Sequence, residues 1–312
     1  MATSFPGIAA LTAPLFLLVL VGYALSRFAR WPSSVSESLN RFTFGIAIPS
    51  LLFRMMCDLR SLAPVDARLL VAYFGGGLVT FAIARLLAAR ALRMDGVSQT
   101  VFAMGTIFSN VVLLGLPLAK VALGDEALPS VSLVIVFNSL TLWTLATVSV
   151  EWARHRDLSA GGLTRIVRDV LTTPIIAAIL AGTAYGFTGL PLPRFAAGTL
   201  DLLGEAAIPL SLVVLGMGLS EYGTREGMGP SLALSAMKLA VAPLVVWLIA
   251  RGLALPLRET QAVVLLASLP VGANAYIMAR QFGALEGPVA TSLVTTTAIS
   301  ALTTPALLTL IA

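Results

Sequence analysis

Long stretches of this chain carry no charge at all. Residues 7–26, 69–84, 96–119, 127–150, 170–193, 260–279 and 287–312 contain no Asp, Glu, Lys or Arg. A helix rises 1.5 Å per residue, so about 20 such residues cross the ~30 Å hydrocarbon core of a bilayer. Three more apolar spans hold isolated charges: 38–56 with Arg41 and Arg54, 198–220 with Asp201 and Glu205, and 227–250 with Lys238. The alternation of a membrane β-strand is absent, so the spans read as helices. The expectation is an all-α integral membrane protein of ten transmembrane helices with short connections.

Composition agrees. Charged residues are 11% of the chain, against roughly 25% in a soluble domain. So few charges cannot cover a globule of this size, which excludes a soluble enzyme, a nucleic-acid-binding domain and a disordered chain. The single cysteine, Cys57, excludes an intrachain disulfide and a Cys-rich metal site. No H-E-x-x-H, G-x-S-x-G or phosphate-loop pattern occurs. The single histidine, His155, sits among Arg154, Arg156 and Asp157 and reads as a solvated loop residue. Neither catalysis nor a cofactor or metal is expected.

Charge position sets orientation. Loops 1–2, 3–4, 5–6, 7–8 and 9–10 hold twelve Lys and Arg residues against seven in the others, Lys238 lying inside a span. The positive-inside rule puts the odd-numbered loops in the cytoplasm and both termini outside. The first run, Gly7 to Ser26, has no preceding positive charge and exceeds a usual signal-peptide core, so it reads as the first membrane helix. Arginine outnumbers lysine 18 to 2 and no glycosylation sequon is present. Both fit a bacterial inner membrane.

The chain repeats itself. Leu11-Thr12-Ala13-Pro14 matches Leu171-Thr172-Thr173-Pro174 at an offset of 160, and Gly22 matches Gly182 and Ile48-Pro49 matches Ile208-Pro209 at the same offset. At 159, Ser109, Gly124 and Pro129 match Ser268, Gly283 and Pro288. Two units follow, 1–156 and 157–312, with five spans each. An odd count forces the second unit in from the opposite side, which makes a 5+5 inverted repeat. Secondary transporters use this architecture for alternating access.

Spans 4 and 9 occupy corresponding places and each carries Asn, Gly and Pro near its middle: Asn110, Gly115 and Pro117; Pro270, Gly272 and Asn274. Proline removes a backbone donor and clashes with the preceding turn, and glycine leaves helical geometry cheaply. Both helices are therefore expected to break at the midplane. Unpaired backbone there is tolerated only where it lines a cavity. Half-helix N-termini turn partial positive charge toward that cavity, which suits an anion. Asn110 and Asn274 can hydrogen-bond a carboxylate without a buried charge of their own.

These pieces resemble the auxin efflux carrier family, whose members include plant auxin exporters and bacterial organic-acid permeases. The matching segments are Asn40-Arg41-Phe42 with Ile48-Pro49-Ser50, Asn110 through Gly115-Leu116-Pro117-Leu118, Ala207-Ile208-Pro209 with Leu215-Gly216-Met217-Gly218, Lys238-Leu239 with Pro243, and Leu269-Pro270 with Asn274-Ala275-Tyr276. The resemblance implies a fold similar to the sodium/bile-acid symporters, with helices 4 and 9 crossing at Pro117 and Pro270. It implies a scaffold of helices 1, 2, 6 and 7, and a transport domain of helices 3–5 and 8–10 that moves as an elevator. It further implies a homodimer through the scaffold. Asn138, in Phe137-Asn138-Ser139, looks like a helix-5 asparagine that lines the family's site. The expected substrate-binding set is then Asn110, Gly115, Pro117, Asn138, Pro270, Asn274 and Tyr276. The loop from Trp152 to Arg168 is short, so regulation through a long cytoplasmic loop is not carried over.

Other polar residues leave alternatives open. Glu205, inside span 7, is a carrier of a coupling proton or a structural partner of Lys238. Lys238, mid-span, attracts an anionic substrate or neutralises Glu205. Thr297, at offset 159 from Asn138, contacts substrate or bonds its own helix. Arg54 and Arg280 lie near span ends and are expected to snorkel. Two functional classes remain, a transporter of a small organic anion (auxin-like or dicarboxylate, with Na+ or H+ as coupling ion or none) and a membrane sensor that binds a ligand without moving it.

Overall fold

The structure, a computed structural model, describes residues 5–57, 66–153, 174–220 and 227–311. Thr172 and Thr173 of the repeat, His155 and the loop that ends at Arg168 lie outside the described residues from 154 onward. The described chain is helical, and its one β-type pairing is an isolated bridge between Ser109 and Val271.

In chain order the helices are α1 (Phe5–Arg27), α2 (Ser33–Phe42), α3 (Ile48–Cys57), α4 (Arg68–Arg90), α5 (Gly96–Ile107), α6 (Leu116–Leu123) and α7 (Leu128–Ala153). The second half continues with α8 (Pro174–Thr188), α9 (Arg194–Leu219), α10 (Met228–Ala236), α11 (Ala242–Gly252), α12 (Leu257–Ser268), α13 (Ala273–Phe282) and α14 (Glu286–Leu310). Among the described residues, six helical segments are long and apolar enough to cross a membrane: 5–27, 68–90, 125–150, 194–219, 228–252 and 286–310. The other segments are shorter or interrupted. Residues 111–123 and 174–188 are apolar helices of lesser length.

Three interruptions share one cause. Widened π turns occupy Thr43–Ala47, Val111–Gly115 and Met237–Val241. Each ends just before a proline: Pro49, Pro117 and Pro243. A proline ring collides with the carbonyl four residues earlier. That carbonyl falls inside each π turn, where the wider spacing makes room and leaves the helix continuous.

α1 lies against α9, and α3 packs on α8 and α9. The α1–α9 seam is a backbone contact: a Cβ on Gly22 would stand 2.0 Å from Val213 O, and one on Gly216 1.9 Å from Val19 O. Small residues permit such approach where lipid gives no hydrophobic drive between helices. α4 packs on α5 and α11, while α14 touches α1, α10 and α12. Large apolar side chains such as Leu20, Val71, Leu202 and Leu302 face outward, as a lipid-facing surface requires.

Candidate functional site

Two helices stop and restart inside the molecule, and their breaks meet. After α5 the chain is extended at Phe108 (ψ 93°), then turns at Asn110 (φ −78°, ψ 64°) into the π turn that leads to α6. After α12 it is extended at Leu269 and again at Gly272 before α13 begins. The extended pieces pair antiparallel: Asn110 N–H donates to Pro270 O at 3.1 Å and Gly272 N–H to Phe108 O at 2.8 Å. A Cβ on Gly272 would sit 2.9 Å from Ser109 O, so only glycine lets the strands come this close. Pro270 has no N–H to lose, and the next donor, Val271 N–H, goes to Thr296 Oγ1 at 3.1 Å.

One expectation is corrected here. Pro270 lies at the crossing, but Pro117 does not. Pro117 lies inside the half-helix 111–123, where the π turn before it makes room for its ring. The place opposite Pro270 belongs to Ser109 and Asn110. Their short polar side chains favour local non-helical geometry, whereas the π turn lets Pro117 stay in a helix.

Beside the crossing lies a cavity of about 90 Å³, lined on one side by Phe108 through Leu113 and on the other by Gly272, Ala273 and Asn274, with Phe44, Ile135 and Asn138 completing it. It opens at the N-termini of both second half-helices, 111–123 and α13. Two dipole ends of the same sign converge there. Asn110 and Asn138 are 6% and 2% exposed, yet Asn110 Nδ2 and Asn138 Oδ1 have no hydrogen-bond partner. A buried polar atom is normally paired, so a lining with unused amide groups is suited to a polar guest.

Of the residues expected at the site, Asn110, Asn138 and Asn274 line one cavity, and Pro270, outside its lining, accepts from Asn110 N–H at the crossing. Gly115, Pro117 and Tyr276 do not line it. Gly115 is buried against α12, where a Cβ would meet Leu269 Cδ1 at 2.7 Å, and Tyr276 is half-buried on α13. Ser109 and Gly272 also line the cavity, and the pair Ser109-Asn110 and the run Pro270-Val271-Gly272 are the sequence signals for them; Phe44, which lines it too, carries no such signal. Thr297 bonds its own helix at Leu293 O, 2.7 Å, and Thr296 holds the crossing instead.

The Glu205–Lys238 pair does not form. Glu205 is exposed on α9, which packs on α1 and α3. Lys238 is 0% exposed in the π turn between α10 and α11. Its Nζ donates to Ser109 Oγ at 2.8 Å and to Ala267 O at 2.6 Å. Nor does Arg54 simply snorkel: its Nε lies 3.1 Å from Asp201 Oδ1, tying α3 to α9.

The profile of a family described as membrane transport protein matches residues 8–308. A protein of Rhizobium meliloti named "Putative malonate transporter" is 27% identical over 310 residues, 97% of this chain and 96% of that one. An uncharacterized transporter of Methanothermobacter thermautotrophicus is 27% identical over 266 residues, 84% of this chain and 85% of its own. Another, from Methanocaldococcus jannaschii, is 27% identical over 237 residues, 73% of this chain and 74% of its own. With a match that runs over nearly its whole length, the chain belongs to the membrane transport protein family, that of the auxin efflux carriers whose segments it shares.

Proposed function

We propose that the protein carries a small organic anion, in the first instance a dicarboxylate such as malonate, across a bacterial inner membrane by alternating access. The observation that carries this reading is the cavity at two converging half-helix N-termini, walled by Asn110, Asn138 and Asn274, in which Asn110 Nδ2 and Asn138 Oδ1 are unused. A volume of about 90 Å³ is well below the ~150 Å³ of a cavity that holds a single aromatic ring. That suits a three- or four-carbon diacid better than an indole-sized acid. The name of the Rhizobium meliloti relative points the same way.

The architecture proposed around this site is ten membrane spans in a 5+5 inverted repeat. Interrupted helices supply the spans that no single long helix does: 33–57, 96–123 and 257–282, with 174–188 as the sixth. Corresponding features support the two-fold reading. Gly124 and Gly283, both at positive φ, close α6 and α13. Helices α1, α2, α3, α8 and α9 then form the scaffold, through which two copies dimerise. The crossing travels with the remaining helices as an elevator, with both termini on the outer side. Uptake coupled to Na+, to H+ or to neither is separated by imposing each gradient in turn.

Purified protein in proteoliposomes is expected to accumulate labelled malonate or a diacid of similar size. Thermal stabilisation by the acid without accumulation would favour the sensor instead. No binding of any small organic acid would remove the anion reading.

A further inference from the structure

Behind the cavity the chain buries a lysine amine. Lys238 Nζ touches one residue of each broken helix: Ser109, in the first break, and Ala267, in the last turn of α12. Ser109 also lines the cavity, so the ammonium lies one side chain behind it. Both partners are neutral. Among the described residues no carboxylate pairs with Lys238, and none lines the small cavity of about 20 Å³ it shares with Tyr73 and Thr80. A buried ammonium without a counter-charge is costly, and packing alone would be served better by an apolar residue.

The surroundings are those of a monovalent cation site. The carbonyl of Ala267 would ordinarily accept from the N–H four residues on. That donor, Val271 N–H, is diverted to Thr296 Oγ1, which leaves the carbonyl free at the negative end of the half-helix dipole. A serine hydroxyl completes the approach. In carriers with broken helices, half-helix C-terminal ends and unwound carbonyls hold the coupling cation, while the N-termini face the anion. Here the N-termini face the asparagine-lined cavity and the free carbonyl faces an ammonium.

We infer that Lys238 is a tethered cation standing where a coupling sodium ion would sit. It serves as counter-charge to the anion bound across Ser109 and makes anion binding independent of Na+. The inference rests on the reading of the cavity as an anion site.

The test uses the full-length protein in proteoliposomes, with malonate as probe and choline replacing Na+. Wild-type binding and uptake are expected to be equal in the two media. Lys238→Gln is expected to lose at least about tenfold in affinity in choline, the scale of a hydrogen-bonded charge. Na+ is then expected to restore part of it by entering the vacated position. Wild-type uptake that collapses in choline overturns the inference while leaving the anion site standing. So does wild-type affinity in Lys238→Gln, or a weakened variant that does not respond to Na+. If Lys238→Gln does not fold, the ion replacement on wild type decides alone. Failure of wild type to bind malonate or any related acid in either medium removes the anion site, and the inference with it.

Discussion

Asn110 serves the site twice, through atoms that can be separated. Its backbone N–H holds Pro270 O, and its backbone carbonyl accepts from Gly115 N–H at 3.0 Å, which starts the second half-helix. Its side-chain Nδ2 has no partner and borders the cavity. Asn110→Ala therefore keeps the crossing and removes the hydrogen-bonding group alone. Malonate affinity measured by calorimetry is expected to fall about tenfold or more, with little change in melting temperature. Asn138→Ala is expected to behave the same way. Wild-type affinity in both would detach the asparagines from the site. At the surface, Asp95 caps α5 by accepting from Ser98 Oγ at 2.6 Å and from Val97 and Ser98 N–H at 3.0 and 3.1 Å. The Ser98 hydroxyl first, then these backbone donors, hold its carboxyl below the ordinary 3.8. A lowered value means the cap stabilises the folded state above about pH 4, and this contribution is lost as pH falls through the folded value. Asp95→Ala should cost about 1 kcal/mol at neutral pH. The gap in melting temperature between wild type and variant should close in acid.

Among the elements, the α1–α9 seam is the least tolerant. Gly216→Ala would put a methyl group 1.9 Å from Val19 O. Backbone cannot yield as a side-chain tip can, so a loss of about 1–3 kcal/mol or more is expected. Gly218, two residues on in the same helix, has open space at its Cβ position, and Gly218→Ala should leave the melting temperature unchanged or raise it. Equal behaviour of the two variants in a thermal-unfolding assay would contradict the packing. The elements also show what was legible beforehand. Charge-free runs locate the helices because hydrocarbon leaves a charge nowhere cheap to go. The clusters of Asn, Gly and Pro mark both breaks, since few other residues leave a helix at low cost. Which residue would occupy the crossing was not legible. Pro117 and Pro270 look alike in sequence, but one lies within a helix behind a π turn and the other sits in extended chain. Nor was the partner of Lys238. Sign of charge suggests Glu205, whereas the observed partner is a neutral serine 129 residues away, brought close only by the meeting of the two breaks.

For the molecule as a whole, the outward apolar surface and the matched family describe a multi-pass membrane transport protein, and its orientation is open to direct measurement. Cys57 is buried, so a cysteine introduced at Trp31, in the exposed turn after α1, would report alone. In the proposed orientation, with both termini outside, that position faces the cytoplasm, and an impermeant maleimide applied to whole cells should fail to label it until the cells are opened. Labelling of intact cells would invert the assignment.

A charge anchored to both broken helices also has an electrical meaning. In the proposed elevator cycle the membrane is crossed only by the charge of the cargo, because Lys238 goes out and comes back. Within the cycle it redistributes the voltage. Loaded with a monoanion, the moving body is neutral, and the empty return, carrying one positive charge, feels the whole field. Loaded with a dianion, both legs feel it, with opposite signs. A full traverse by one charge is worth about 2.3 kcal/mol per 100 mV. The membrane potential should therefore set the rate of the return leg for a monocarboxylate and of both legs for malonate, a difference that currents recorded on a solid-supported membrane can resolve.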